Sequence, residues 1–112
     1  MKGIQMKQEM QTALEAVKEV MIEDYMRFMP ENERMQTEFI EGIGLKEGQK
    51  YIKILQRNSV WGFVVNTETD KKFKYGDILK AAGYAAPARN AARGNVFTNL
   101  GWVQWTGPAY LR

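Results

Sequence analysis

The first part of the chain carries apolar residues at helical spacing. They recur at steps of three or four, with Gln, Glu and Lys between them: Met6, Met10, Leu14, Val17, Met21, Tyr25 and Phe28. This period is that of one face of an α-helix. Pro30 cannot continue the helix without losing a backbone donor and clashing with the preceding turn. The pattern predicts one long amphipathic helix over about residues 5–29, within an N-terminal segment of residues 1–30.

The apolar face of this helix has three possible uses. It can pack on the protein's own sheet, form a homodimer contact, or bind a foreign protein. Met side chains adapt to irregular surfaces, and a helix of about 37 Å is longer than a small domain needs. We favour packing on the sheet. The candidate partner or dimer contacts are Met6, Met10, Leu14, Val17 and Met21.

From residue 49 onward the pattern changes from helix to strand. Residues 50–56 (KYIKILQ) and 59–66 (SVWGFVVN) are rich in β-branched and aromatic residues and are separated by Arg57-Asn58, which predicts a β-hairpin. Residues 60–65 are apolar on both alternating faces, so we expect a central strand covered on both sides. Residues 73–79 (FKYGDIL) predict a further strand, a turn and a strand.

The most unusual stretch is residues 80–95 (KAAGYAAPARNAARGN). Pro87 suits the first turn of a helix, and Gly94 suits the left-handed position after its end. A short Ala-rich helix is therefore predicted over residues 87–93. After it, Gly107-Pro108 predicts a turn near the C-terminus.

Together these elements predict an α+β fold. A long N-terminal helix packs on a small bent antiparallel sheet of four to five strands, partly barrel-like, with the Ala-rich helix between the last two. An all-β barrel with an appended helix is the rival architecture. The 112 residues fit a single domain over 1–112, in which residues 45–112 form a β-rich body.

The residue types exclude several functions. The chain has no Cys and no His, which removes disulfide scaffolds, zinc fingers, thiol nucleophiles and imidazole bases. No apolar run approaches the roughly 20 residues that span a bilayer. We therefore expect a cytoplasmic protein that does not associate with a membrane. The spacing of Asp77, Glu68 and Asp70 matches no catalytic motif. We therefore expect no enzymatic activity, no cofactor and no metal.

Charge is distributed unevenly along the chain. Residues 1–45 hold five basic and nine acidic residues, a net charge of −4, whereas residues 46–112 hold eleven basic and four acidic residues, a net charge of +7. Two explanations stay open: the two parts attract each other within the fold, or the basic part presents a surface to an anionic partner.

Arg89 and Arg93 are the centre of such a basic surface, because the predicted helix places them on one face. Arg binds phosphate with two hydrogen bonds, and Tyr can stack on a base. The alternative is that the two arginines pair with the protein's own carboxylates. The candidate nucleic-acid-binding residues are Lys80, Tyr84, Arg89 and Arg93, aided by Lys71, Lys72 and Lys74.

Several segments of the body carry a recognisable pattern: residues 59–63 (SVWGF), 76–82 (GDILKAA), 86–90 (APARN), 92–95 (ARGN), 103–108 (VQWTGP) and 110–111 (YL). Over residues 45–111 the chain resembles a group of short, mostly uncharacterised proteins of tailed bacteriophages. The N-terminal helix lies outside the resemblance. The resemblance implies expression in the cytoplasm of an infected bacterium, among accessory factors that act on nucleic acid or on a host protein.

Two functions follow as expectations. The first is a non-enzymatic phage accessory protein that binds nucleic acid through a basic face. The second is an interaction protein that binds and modulates a host bacterial protein through its Met-rich helix or a surface bearing Trp102 or Trp105. DNA and RNA stay equally open as ligands.

Overall fold

The computed structural model describes residues 7–111 and shows an α+β protein. Its elements are α1 (Gln8–Phe28), α2 (Glu33–Glu41), β1 (Ile43–Glu47), β2 (Tyr51–Gln56), β3 (Ser59–Val65), β4 (Ile78–Leu79), β5 (Val103–Gln104) and β6 (Gly107–Pro108). Within the described residues, no helix combines the length and the apolar character that a membrane crossing requires.

The long N-terminal helix is confirmed as α1, which ends two residues before Pro30. Its apolar face packs in one core cluster with Ile52, Ile54 and Val64 of the sheet. Four candidate contact residues are at most 3% exposed in that cluster: Met10, Leu14, Val17 and Met21. They are covered by the protein's own core and offer no surface to a partner. Met6 lies outside the described residues, and dimerisation through other positions stays a prediction.

The sheet has four antiparallel strands in the order β1-β2-β3-β4 and is open, whereas β5 and β6 form a separate two-stranded ribbon. The predicted hairpin is confirmed as β2 and β3, with Arg57 at its turn in the left-handed region at φ 59°. The sequence did not predict β1. Because β1 and β4 are not paired with each other, the expected barrel-like closure is not seen.

β3 is central and covered on both sides, as its sequence predicts. On one face, which we call the helix face, Trp61 and Val64 pack in the cluster that contains α1. On the other, the outer face, Phe63 and Val65 pack in a second cluster with Phe73 and other residues of the segment that follows β3. Two cores, one on each side of the sheet, explain the continuous apolar run.

The predicted Ala-rich helix over residues 87–93 is wrong. Pro87 pairs with Ala81 in an isolated antiparallel bridge. The N–H of Ala88 donates to the carbonyl of Lys80, and the N–H of Arg93 donates to the carbonyl of Ile78, each at 2.7 Å. These residues therefore add to the edge of the sheet at β4, and this tertiary pairing overrides the helix propensity of alanine.

The chain differs from two further predictions. Residues 73–75 do not form a strand, although the turn that follows them is present. Near the C-terminus the turn lies at Trp105-Thr106, while Gly107–Pro108 form β6. The indole of Trp61 donates to the carbonyl of Gln104 at 2.7 Å, which fixes the ribbon on the helix face.

Candidate nucleic-acid interface

Arg89 is held on the surface by the protein's own carboxylate. Its guanidinium donates two hydrogen bonds of 3.0 Å to the carboxylate of Asp70 and a third, of 2.6 Å, to the hydroxyl of Tyr51. The Asp70 side chain is 1% exposed, whereas that of Arg89 is 38% exposed. The internal pairing considered from the sequence therefore applies to Arg89, with a partner from the loop after β3 rather than from the acidic N-terminal part.

The environment of Asp70 keeps its carboxylate charged. The hydrogen bonds from Arg89, followed by those from the backbone N–H groups of Lys72 and Phe73, hold the pKa of Asp70 far below its ordinary value. The same contact with Asp70, and that with Tyr51, raise the pKa of Arg89. The pair fixes the loop after β3 to the segment around Arg89 and makes this cation a rigid part of the surface.

Replacing Asp70 with Asn should destabilise the protein at neutral pH and have a smaller effect in acid. Because the folded-state pKa of Asp70 is depressed, its charged form stabilises the fold above the ordinary value of 3.8, and this contribution is lost as pH falls through the folded-state pKa. Because the loss begins only below about the ordinary value of 3.8, urea unfolding should show the same difference between the two proteins at about pH 7 and 5 and a smaller difference at about pH 3. Glu19→Gln, on the exposed side of α1, is the control; a difference for Asp70→Asn that stays constant with pH would contradict the account.

Arg93 does not belong to a basic surface, which corrects the sequence-based hypothesis. It is 3% exposed, and it donates to the carbonyl of Ala109 at 3.2 Å and to the side chain of Asn90 at 3.1 Å. Its Nε has no hydrogen-bond partner within the described part of the chain. A guanidinium buried in this way stabilises the C-terminal segment and cannot reach a phosphate in solution.

Three candidate lysines are also placed differently from one another. Lys80 is half-buried, and its ammonium donates to the carbonyl of Pro108 in β6 at 2.7 Å. Lys72 donates to the carbonyl of Arg89 at 2.6 Å. Lys74 is exposed, and its backbone N–H donates to the carboxylate of Asp77 in the turn before β4. The predicted nucleic-acid-binding residues therefore do not form one surface. Of these residues, only Lys71 and Arg89 line the same concavity.

A basic surface, which we call the basic groove, covers part of the outer face and the adjoining loops. It consists of two concavities, of about 420 Å³ and about 350 Å³, which share Lys50 in their lining. Its cations are Lys46, Lys50, Lys53, Lys71 and Arg89. Two acidic residues, Glu47 and Asp70, line the same concavities, so positive charge is in excess.

The arrangement of Lys46 and Lys53 is the most informative feature of the groove. The two residues are directly opposite each other on β1 and β2, and Lys53 in turn is opposite Phe63 of β3. Directly opposite residues share a face, and like charges in such a pair destabilise a sheet. None of the ion pairs within residues 7–111 involves Lys46, Lys50 or Lys53. Lys46 and Lys53 therefore form a like-charge pair that has no salt bridge among the described residues.

Aromatic rings accompany the lysines of the groove. The ammonium of Lys53 lies 4.1 Å from the ring centroid of Tyr84, and that of Lys50 lies 5.8 Å from the ring centroid of Tyr51. Tyr84 is 62% exposed. The structure therefore brings Tyr84 to the groove, although not beside Arg93 as the predicted helix implied.

Sequence reasoning missed Lys46, Lys50 and Lys53. The alternation in KYIKILQ was a usable signal, because it places Lys53 on the face opposite to buried Ile52 and Ile54. The position of Lys46 was not predictable in the same way, since the strand that carries it was not recognised.

No protein-family model matches the chain, and neither curated proteins nor solved structures include a significantly similar one. Over the part of the chain that the structure describes, no cluster of three or more acidic residues is suited to hold a metal ion. The geometry and charge of the basic groove are therefore the basis on which function is inferred.

Proposed function

We propose that this protein is a non-enzymatic nucleic-acid-binding protein whose basic groove holds the phosphates of the ligand. One observation carries the proposal: Lys46 and Lys53 are directly opposite each other on the outer face, and neither has an ion-pair partner among the described residues. A phosphate bound between them would relieve the repulsion that the free sheet contains.

The other cations of the groove extend this contact along a path. Lys50 lines both concavities, and Lys71 lines the one that contains Arg89. Arg89 uses three hydrogen bonds to contact Asp70 and Tyr51, and since a guanidinium has five N–H groups, two are left for a ligand. A chain of phosphates fits such a row of charges better than a single small anion does.

The biological setting is part of the same proposal. The resemblance of residues 45–111 to small phage proteins supports an accessory role in the cytoplasm of an infected bacterium. DNA and RNA both carry the phosphates that the groove would bind, so the proposal covers either.

Fluorescence anisotropy with a labelled oligonucleotide tests the proposal. At about 50 mM salt we expect micromolar or tighter binding, which weakens strongly at about 200 mM because phosphate contacts release counterions. Lys46→Ala with Lys53→Ala should reduce both the affinity and its dependence on salt. Flat titrations of DNA and RNA at low salt would contradict the proposal.

A second candidate function is supported by an aromatic cluster at the end of α1 whose outermost ring, Phe28, is exposed. Phe28 is 57% exposed, and its ring centroid lies 4.9 Å from that of Trp105. Tyr25 and Phe39 stack beneath them with centroids 4.2 Å apart. Aromatic anchors of this kind occur at the centres of protein interfaces. A host bacterial protein would bind here rather than on the buried Met-rich face of α1.

Phe28→Ala separates the two candidates. If the aromatic cluster is the functional surface, a bacterial protein retained by the wild-type chain should be lost with Phe28→Ala and kept with Lys46→Ala and Lys53→Ala. If the basic groove is the functional surface, Phe28→Ala should bind oligonucleotide with unchanged affinity. A partner that both variants retain would contradict the second candidate.

A further inference from the structure

The loop that follows β4 holds an aromatic ring at the edge of the basic groove. Ala82 and Gly83 both donate to the carbonyl of Ala86, at 3.0 and 3.2 Å, and the bridge between Ala81 and Pro87 closes the loop. Tyr84 lies at its tip. The loop is fixed by backbone hydrogen bonds rather than by packing of large side chains.

Tyr84 is accessible for contact with a ligand. It is 62% exposed, and the residues beside it, Gly83 and Ala85, are small and exposed. Ala85 lines the same concavity as Lys46, Lys50 and Lys53. The ammonium of Lys53, 4.1 Å from the ring centroid, connects the ring to the floor of the groove. An aromatic surface and the two lysines proposed to bind phosphate are thus adjacent.

We infer that the ligand of the basic groove is single-stranded nucleic acid, with one base stacked on Tyr84 and the neighbouring phosphates on Lys46 and Lys53. This inference rests on the proposed function. An unpaired base exposes its flat face for stacking on an aromatic ring, whereas a duplex hides that face within its own stack. Proteins that read duplex DNA insert a helix or a ribbon into a groove, but the cations here line a concave surface.

The test compares a labelled single strand of about 20 nucleotides with a duplex of the same sequence. We expect the single strand to bind about tenfold or more tightly than the duplex at equal salt. Tyr84→Ala should weaken single-strand binding by about tenfold, the usual effect of removing a stacking ring, whereas Tyr84→Phe should keep it. Tyr110→Ala removes another exposed ring, outside the groove, and should have no effect.

The outcomes separate this inference from the proposed function. If duplex and single strand bind equally and Tyr84→Ala has no effect, while Lys46→Ala with Lys53→Ala loses binding, then the groove binds nucleic acid and the single-strand inference is wrong. If no oligonucleotide binds to the wild-type protein at low salt, both the proposed function and the single-strand inference are wrong. Because Tyr84 is exposed, circular dichroism should show that all its variants keep the fold.

Discussion

Replacing Gly94 with alanine should lower the free energy of unfolding by about 2–4 kcal/mol, in the lower part of what backbone strain and a tight contact cost together. Gly94 has a φ of +111°, a conformation that L-residues with a side chain rarely adopt. A Cβ atom there would lie 2.5 Å from the carbonyl oxygen of Asn99, so backbone would have to move. The carbonyl of Gly94 accepts a hydrogen bond from Ile78 at 3.0 Å, which ties this position to β4 and opposes such a movement.

Gly83→Ala is the matched control, because a Cβ at Gly83 meets nothing within 4 Å. It should change the free energy of unfolding by no more than about 0.5 kcal/mol, as exposed substitutions usually do. Urea denaturation followed by tryptophan fluorescence measures both variants. Equal stability of the two would show that Gly94 is not strained in the way described.

Reversing two charges of the basic groove, with Lys46→Glu and Lys53→Glu, should weaken oligonucleotide binding about 100-fold or more at low salt. The change removes two phosphate contacts and adds two charges that repel the ligand. Both residues are on the outer face, where neither makes an ion pair with another described residue. No salt bridge among the described residues is lost, although the contact of the Lys53 ammonium with the Tyr84 ring is, and thermal unfolding checks that the variant keeps the fold.

A control with the same change in net charge is Arg27→Glu with Arg34→Glu. These side chains are 71% and 84% exposed and lie on α1 and α2, outside the groove. At the same salt concentration this variant should lose much less affinity than the groove variant, because it removes no phosphate contact and affects only the long-range attraction, which is largely screened at about 0.15 M salt. If both double variants lose affinity equally, binding depends on net charge alone and the groove is not the site.

How much of the fold the sequence predicts depends on how local each signal is. The period of α1 and the hairpin about Arg57 are encoded within a few residues, and both are confirmed. The helix prediction for the Ala-rich segment was wrong because alanines favour a helix only when local propensity decides. In the folded protein the N–H of Arg93 donates to the carbonyl of Ile78 at the sheet edge. Gly94 does take the predicted left-handed conformation, but in a loop and not after a helix.

The candidate site was predicted less well than the fold, for a related reason. Arg89 and Arg93 are four residues apart. Residues at this spacing lie on the same face if the segment is a helix. Without the helix, Arg89 lies at the surface and Arg93 in the interior. Lys46 and Lys53 are brought together by strand register, which depends on a pairing that the sequence did not reveal. The composition shows that residues 46–112 are basic. Where their positive charges lie on the surface depends on how the strands pair.

NMR chemical-shift mapping would show whether the outer face binds nucleic acid. Backbone amide spectra would be recorded at low salt while a single-stranded oligonucleotide is added. We predict shifts at residues 46–53, 67–71 and 84–89, which border the groove, and none over the solvent-exposed side of α1. Shifts confined to the aromatic cluster around Phe28 and Trp105, or no shifts at all, would contradict the account.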